Sequence, residues 1–183
     1  SDSRKSSSSN EKQRLSTGHA VTGENLFDGG LAGGLGGDDF GAVDAIIEAA
    51  VTFGIHNLTR EFGTPRGPNQ QPAQFCVLGL GKLGGLELNY SSDIDLIFFY
   101  DLDGRTQGPQ SIANREFFER LCRDLVRLLG EATDLGAPYR VDLRLRPNGS
   151  RGAVCLNYDQ MVRYYDVKGR TWERQAFIKA RTV

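Results

Sequence analysis

From Asp39 to Phe62 the apolar residues recur at three- and four-residue steps: Val43, Ile46, Ile47, Ala50, Val51, Ile55, Leu58 and Phe62. That period predicts an amphipathic helix with Asp38 or Asp39 as its cap, ended by Gly63, Pro65, Gly67 and Pro68. The pattern then changes. Phe75, Val77 and Leu78 form one short apolar run, and Ile94, Leu96, Ile97, Phe98 and Phe99 form another. Such runs suit strands covered on both faces. Between them, Gly79, Gly81, Gly84 and Gly85 predict a tight turn leading into a very short helix. The helical period returns in Phe117, Phe118, Leu121, Leu125, Leu128 and Leu129, which predicts a helix over about Asn114 to Thr133. Pro138 to Pro147 alternates, with Val141, Leu143 and Leu145 against Asp142, Arg144 and Arg146, the signature of a half-buried strand. A short strand over Ala153–Leu156 and two short helices, Tyr158–Val167 and Thr171–Thr182, complete the chain. Residues 1–38 are rich in Ser, Gly and Asn without any period, so they read as a disordered segment or linker before one domain over 39–183. The element order predicts an α/β (α+β) fold, a small mixed sheet with helices mainly on one face.

Composition narrows the class without deciding it. The chain has 183 residues, of which 39% are hydrophobic and 25% charged, ordinary values for a soluble domain. No apolar run is long enough to span a bilayer, and the N-terminus lacks the pattern of a signal peptide. Cys76, Cys122 and Cys155 are well separated and flanked by apolar residues, as expected of buried thiols in a reducing cytoplasm. With His19 and His56 as the only histidines, a zinc centre is not expected. The first residue is Ser1 rather than Met, which reads as a fragment or a processed chain. A net charge of −1 conceals an asymmetry: from Tyr139 onward ten cationic side chains face four carboxylates, a local charge of +6. That segment suits polyphosphate or an acidic surface. It lacks the interleaved aromatics of a single-strand nucleic-acid platform, so no nucleic-acid partner is expected.

The stretch from Phe75 to Asp101 carries the candidate chemistry. Asp93 and Asp95 lie two apart on a predicted strand, on one face and roughly 6.6 Å apart. Two bare carboxylates at that spacing repel by roughly 2–3 kcal/mol at an effective dielectric near 20. A divalent cation between them removes that cost, and hard oxygen ligands suit magnesium or manganese shared with a phosphate-bearing substrate. If the alternating strand pairs beside this one, at the usual spacing of about 4.8 Å, Asp142 completes a three-carboxylate cluster. The competing readings are a turn cap at Ser92 or Asp93 with a solvated Asp95, and an exposed ion-pair ladder along Asp142, Arg144 and Arg146. The glycines, with the backbone at the start of the next helix, would face a phosphate. Gly79, Gly81 and Gly84 also spell G-x-G-x-x-G after a strand, the mark of a dinucleotide site. Only Gly85 to Ser92 separate them from the next strand, which is short for the crossover helix of that fold.

These residues resemble the polymerase β-like nucleotidyltransferase superfamily: Gly followed by Ser or Gly, a gap of about ten residues, Asp-x-Asp, and a later acidic strand residue. Here Gly81-Lys82 precedes Asp93 and Asp95, with Asp142 the later residue; Lys82 stands where the superfamily usually has Ser. Within it, GLGKLGGLELNYSSDIDLIF, YRVDLRLRPNG and WERQAFIKAR look like the catalytic domains of glutamine synthetase adenylyltransferases. The similarity covers roughly Asp39 to Val183. It implies a bifunctional family in which one domain removes AMP from a glutamine synthetase tyrosine by phosphorolysis and a second adds it from ATP. The forms NYSSDIDLIF and WERQAFIKAR look more like the removing domain, with phosphate as nucleophile and ADP as product. It further implies metal (Mg2+ or Mn2+) on Asp93, Asp95 and Asp142, and nucleotide or phosphate on Gly81, Lys82, Gly84, Gly85, Ser92, Arg144, Arg146 and Lys179. Glutamine synthetase is the implied partner, with the PII signal protein engaged through family regions outside this chain. Adenylylation from ATP, a non-catalytic nucleotide- or partner-binding module, and another nucleotidyltransferase with a small-molecule or RNA acceptor remain as alternatives.

Overall fold

The structure, a computed structural model, describes residues 39–88, 92–130 and 139–183. The expectations placed on 1–38, on the cap of the first helix and on residues 131–133 lie outside them. In chain order the elements are α1 (Asp39–Phe62), β1 (Thr64–Arg66), β2 (Phe75–Leu80), α2 (Gly81–Gly84), β3 (Ile94–Tyr100) and β4 (Arg105–Gln107). There follow α3 (Asn114–Gly130), β5 (Val141–Asp142), β6 (Cys155–Asn157), α4 (Tyr158–Val167), α5 (Thr171–Ala176) and β7 (Arg181–Thr182). The main sheet runs β5-β3-β2-β7, with β6 also pairing β3. It is mixed: β2 and β7 are antiparallel to their neighbours, whereas β5 and β6 lie parallel to β3 one after the other along the same edge. β1 and β4 form a separate two-stranded ribbon. No described helix is long and apolar enough to cross a membrane.

Alternation along β3 sends its residues to two cores. Ile94, Leu96, Phe98 and Tyr100 join Val77 against the apolar stripes of α1 and α3, where Val43, Ile47, Phe62, Phe117, Phe118, Leu121 and Leu125 are buried. Tyr100 stacks on Phe118 with ring centroids 4.9 Å apart, and Phe75 stacks on both Phe98 and Phe118. Each fully buried side chain of this size contributes roughly 1.5–3 kcal/mol from area alone, so this face holds most of the stability. The opposite face is smaller. Leu80, Ile97 and Met161 pack there with Phe99, Leu156, Tyr165 and Phe177, covered by α4 and α5. Glu173 ties those two helices together: its carboxylate accepts from the Tyr164 hydroxyl at 2.9 Å and from the Arg170 N–H at 2.7 Å. The α+β class expected from the sequence is therefore the one observed, with the long helices on one face and the short ones on the other.

Three element boundaries differ from expectation. Of the strand expected over Pro138 to Pro147, the described residues, from 139 on, form strand only at Val141–Asp142, and Pro138 lies outside the described residues. The Asp142 carboxylate accepts from the Arg144 N–H at 2.8 Å, and Arg146 N–H turns back to the Leu143 carbonyl, so the chain leaves the ladder at once. The helix expected to Thr182 ends at Ala176; a 3-10 turn, Phe177–Lys179, follows, and β7 then pairs Arg181 with Gly79 and Thr182 with Leu78. An edge of β2 is thereby covered, which a continued helix would have left open. Finally, the short strand expected over Ala153–Leu156 is Cys155–Asn157, where Asn157 also caps α4 by accepting from the Asp159 N–H.

Candidate active site

The start of β3 is where three carboxylates converge. Asp95 lies opposite Leu80 of β2 on one side and opposite Asp142 of β5 on the other, while Asp93 immediately precedes the strand. Ile94 N–H donates to the Arg140 carbonyl at 2.9 Å, so the parallel ladder is anchored right at the acidic cluster. Asp95 shares the parity of Ile97 and Phe99 and so belongs to the face covered by the short C-terminal helices rather than by α1 and α3.

Two of the three carboxylates carry an arginine. Arg140 Nη2 donates to Asp93 Oδ2 at 2.8 Å. Its Nε lies 2.6 Å from Oδ1, an ionic contact without a hydrogen-bonding angle, which leaves that buried oxygen without a hydrogen bond among the described residues. Arg144 grips Asp142 with Nε at 2.7 Å, Nη2 at 2.5 Å and its backbone N–H. The side chains of both arginines are about four-fifths exposed, at 82% and 79%, so each pair adds little to stability. Among the described residues none donates to Asp95. Burial first, then the charges of Asp142 and Asp93, push its carboxyl above the ordinary aspartate value, against a smaller opposing pull from Arg144. Asp142 moves the other way, lowered chiefly by the hydrogen bond from the Arg144 side chain. An open cleft of about 460 Å³ adjoins the cluster, lined by Asp93, Val126, Arg140, Val141, Asp142, Leu143 and Arg144.

The glycines fit against the chain's own atoms. Gly81 has φ +55°, and a Cβ there would overlap Asp95 Oδ2. At Gly84 a Cβ would overlap the carbonyls of Lys179 and Gly79. Gly85 meets the Lys179 side chain, whose Nζ donates to both oxygens of Glu87 at 2.9 and 2.8 Å. The close approach expected toward a ligand is thus an approach to Asp95 and to the 179 segment. α2 is a single turn, and so few aligned peptides carry only a small dipole. Lys82 Nζ donates to Ser92 Oγ at 3.1 Å, next to Asp93. Arg146 is committed to the turn after β5, where its guanidinium donates to the carbonyls of Leu143, Ser150 and Gly152. The structure therefore gathers Asp93, Asp95, Asp142, Arg144 and Gly81, puts Lys82 and Ser92 beside them, and groups Gly84, Gly85 and Lys179 separately.

Residues 41–183 match the family model described as glutamate-ammonia ligase adenylyltransferase. The chain belongs to this family. It is 45% identical over 147 residues to the bifunctional glutamine synthetase adenylyltransferase/adenylyl-removing enzyme of Thioalkalivibrio sulfidiphilus, covering 80% of this chain and 15% of that protein. Identity to the protein of the same name from Aromatoleum aromaticum is 48% over 126 residues, 69% of this chain and 13% of the relative. For Pseudomonas putida it is 48% over 142 residues, 76% and 14%. The chain thus spans about 15% of the length of the curated relatives it matches.

On sequence alone Arg140 has no place in the site, and Arg181 is expected with Lys179 within reach of it; the structure pairs Arg140 with Asp93 and holds Arg181 against α1. Arg140 shares the parity of Asp142 and Arg144, and that alternation was the signal that could have found it. Arg181 pairs with both oxygens of Asp44 on α1 at 2.7 and 2.8 Å and donates to the Leu83 carbonyl, a link across 137 positions that no local pattern announces. As the side chains stand, no group of three or more His, Cys, Asp or Glu among the described residues is disposed to hold a metal ion. The donor set nevertheless suits a hard divalent cation. Asp95 is raised by burial and by the charges of Asp142 and Asp93, which Arg144 offsets only in part, and the cations over Asp93 and Asp142 are exposed arginines.

Proposed function

We propose that this domain transfers an adenylyl group on a tyrosine of glutamine synthetase, in the removing direction, with inorganic phosphate as nucleophile and ADP as product. The observation that carries the reading is the register Asp95↔Asp142 with Asp93 beside it. It joins hard-oxygen donors to an adjacent cleft whose cationic side chains are Arg140 and Arg144. The names of the relatives supply the acceptor protein and both directions of the reaction.

Asp93, Asp95 and Asp142 would hold the divalent cation, Mg2+ or Mn2+, which when bound supplies positive charge at the phosphorus under attack and at the leaving oxygen. Arg144 and Arg140 bind the incoming phosphate, which arrives ionised and requires an electropositive pocket rather than a base. Lys82 and Ser92, at the approach to Asp93, contact the nucleotide phosphate. A phosphate oxygen forms a bond to the adenylyl phosphorus while the bond from that phosphorus to the tyrosine oxygen breaks. The proton of hydrogen phosphate ends on the tyrosine, so ADP and a free tyrosine hydroxyl leave. In the opposite direction a tyrosine hydroxyl, with a reference pKa near 10, has to lose its proton before attack. An Asp142 carboxylate engaged with a cation would be a poor base for it. Catalysis of this kind belongs in the cytoplasm with glutamine synthetase.

The test is product identity. Adenylylated glutamine synthetase labelled in its AMP group is incubated with this chain, Mn2+ or Mg2+, and phosphate. Labelled ADP appearing only with phosphate supports the reading. Label transferred from ATP to unmodified glutamine synthetase, with pyrophosphate released and no phosphorolysis, reverses the direction. Binding of ADP without either reaction makes the domain a binding module.

A further inference from the structure

We infer that Arg140 and Arg144 are exchangeable counter-ions, which neutralise Asp93 and Asp142 in the free domain and pass to substrate phosphate when the carboxylates take a cation. The inference rests on the metal-site reading of the preceding section and adds a coupling to it: cation and phosphate bind better together than either does alone.

Four observations lead there. Each arginine covers one carboxylate at 2.5–2.8 Å, which is where a cation would have to bind. Neither guanidinium donates to a described backbone carbonyl, in contrast to Arg146, which donates to three. Both are exposed and border the same cleft, so a short swing about the side-chain torsions carries them from carboxylate to cleft without moving the backbone. And Asp95, opposite Asp142 in the ladder, accepts no hydrogen bond from either arginine, whose side chains go to Asp93 and Asp142. A cation entering alone displaces two guanidinium groups into water. A cation entering with an anionic phosphate gives them a new partner that accepts bidentately, as guanidinium prefers. The arrangement discriminates against empty metal loading and favours a metal–phosphate pair.

The experiment uses this chain and measures binding rather than turnover. Free Mn2+ is followed by electron paramagnetic resonance in titrations without and with ADP, after allowance for the Mn2+–ADP complex in solution. Compared are the parent, Arg140→Gln, Arg144→Gln, the double variant and Arg151→Gln, an exposed arginine of the same segment outside the cluster. In the parent, ADP should tighten Mn2+ binding beyond the solution complex. Each site variant should bind Mn2+ alone roughly two- to fivefold more tightly, the factor an exposed ion pair of this kind is worth. The double variant should lose the tightening by ADP, and Arg151→Gln should behave as the parent. Unchanged or weaker Mn2+ binding in the site variants, or the same gain in Arg151→Gln, overturns the exchange. Asp95→Asn separates the two levels: if it binds Mn2+ like the parent, the metal site is misplaced and the exchange falls with it. If Asp95→Asn loses Mn2+ while the arginine variants gain nothing, the exchange alone is wrong.

Discussion

Replacing Gly81 by Ala tests how tightly the glycine turn and the acidic cluster are built as one unit. The backbone there has φ +55°, where an L side chain costs about 1–2 kcal/mol. The added methyl would also overlap Asp95 Oδ2, and turning that carboxylate off its rotamer adds about 0.5–1.5 kcal/mol. Gly81→Ala should therefore lower stability in urea by about 1.5–3.5 kcal/mol, the sum of those two terms. In thermal melting that is roughly 2–4 °C per kcal/mol for a domain of this size. A double-mutant cycle divides the two causes. With Asp95→Ala in the background the overlap disappears and only the backbone term remains, so the coupling between the sites should be about 0.5–1.5 kcal/mol. A loss below about 0.5 kcal/mol on Gly81→Ala, the scatter of ordinary surface changes, would refute the geometry assigned to the turn. A full loss without coupling would leave the strained backbone but remove the contact with Asp95.

Two helix glycines should respond in opposite senses. Gly41→Ala, with open space around it, should stabilise by up to about 1 kcal/mol, whereas Gly54→Ala should destabilise because its Cβ would come within 2.6 Å of Leu121 Cδ1 in α3. Urea melts of the pair check both signs. The acid limb of stability separates Asp95 from Asp142. Asp95 has a raised folded value, so its ionisation weakens the fold as pH rises through the carboxylate range; Asp95→Asn should be more stable than the parent above that range and level with it below. Asp142 has a lowered folded value, so its contribution is present at neutral pH and lost as pH falls; Asp142→Asn should be less stable at neutral pH and converge with the parent in acid. Arg181→Ala should cost about 1–2 kcal/mol, because it removes a half-buried bidentate pair with Asp44 and the donor to the Leu83 carbonyl; denaturation of Asp44→Asn alongside should show the losses to be non-additive.

Local period and turn chemistry made much of the fold legible. α1 runs over the expected Asp39–Phe62, because seven of its eight periodic apolar positions are buried or half-buried, only Ile46 of them staying exposed. β2 and β3 were legible for the complementary reason, runs of apolar residues with no helical spacing. The alternation from Val141 onward was legible as a pattern but not in its extent. Asp142, a residue able to bond its own downstream N–H, ends the strand after two residues, and alternation statistics contain no such competition. β7 was illegible for a different cause: it forms only because β2 offers an edge and Asp44 offers a carboxylate, both far away in sequence. The candidate site divides likewise. The Asp-x-Asp pair and Asp142 follow from parity along two strands. That Gly81 faces Asp95, that Arg146 is used up by a turn, and that Lys179 belongs with Glu87 follow only from the packed chain.

The charge distribution explains why such a cluster persists at all. The raised Asp95 carboxyl opposes the fold, and the domain tolerates it because the large aromatic core on the α1–α3 face lies on the other side of the same sheet. That core fixes β3 through Ile94, Leu96, Phe98 and Tyr100, while the intervening residues Asp95, Ile97 and Phe99 are carried along by alternation. Stability and chemistry are thus assigned to opposite faces of one strand. On the chemical face the compensation is incomplete by one unit. Arg140 answers Asp93, Arg144 answers Asp142, and among the described residues nothing answers Asp95. A purely structural ion-pair ladder would be expected to close its own charges. A cluster that leaves one carboxylate raised, with Gly81 pressed against it so that no side chain can fill the space, is the feature that the proposed cation would complete. The two exposed arginines and the adjacent cleft are the means by which that charge and a phosphate would enter together.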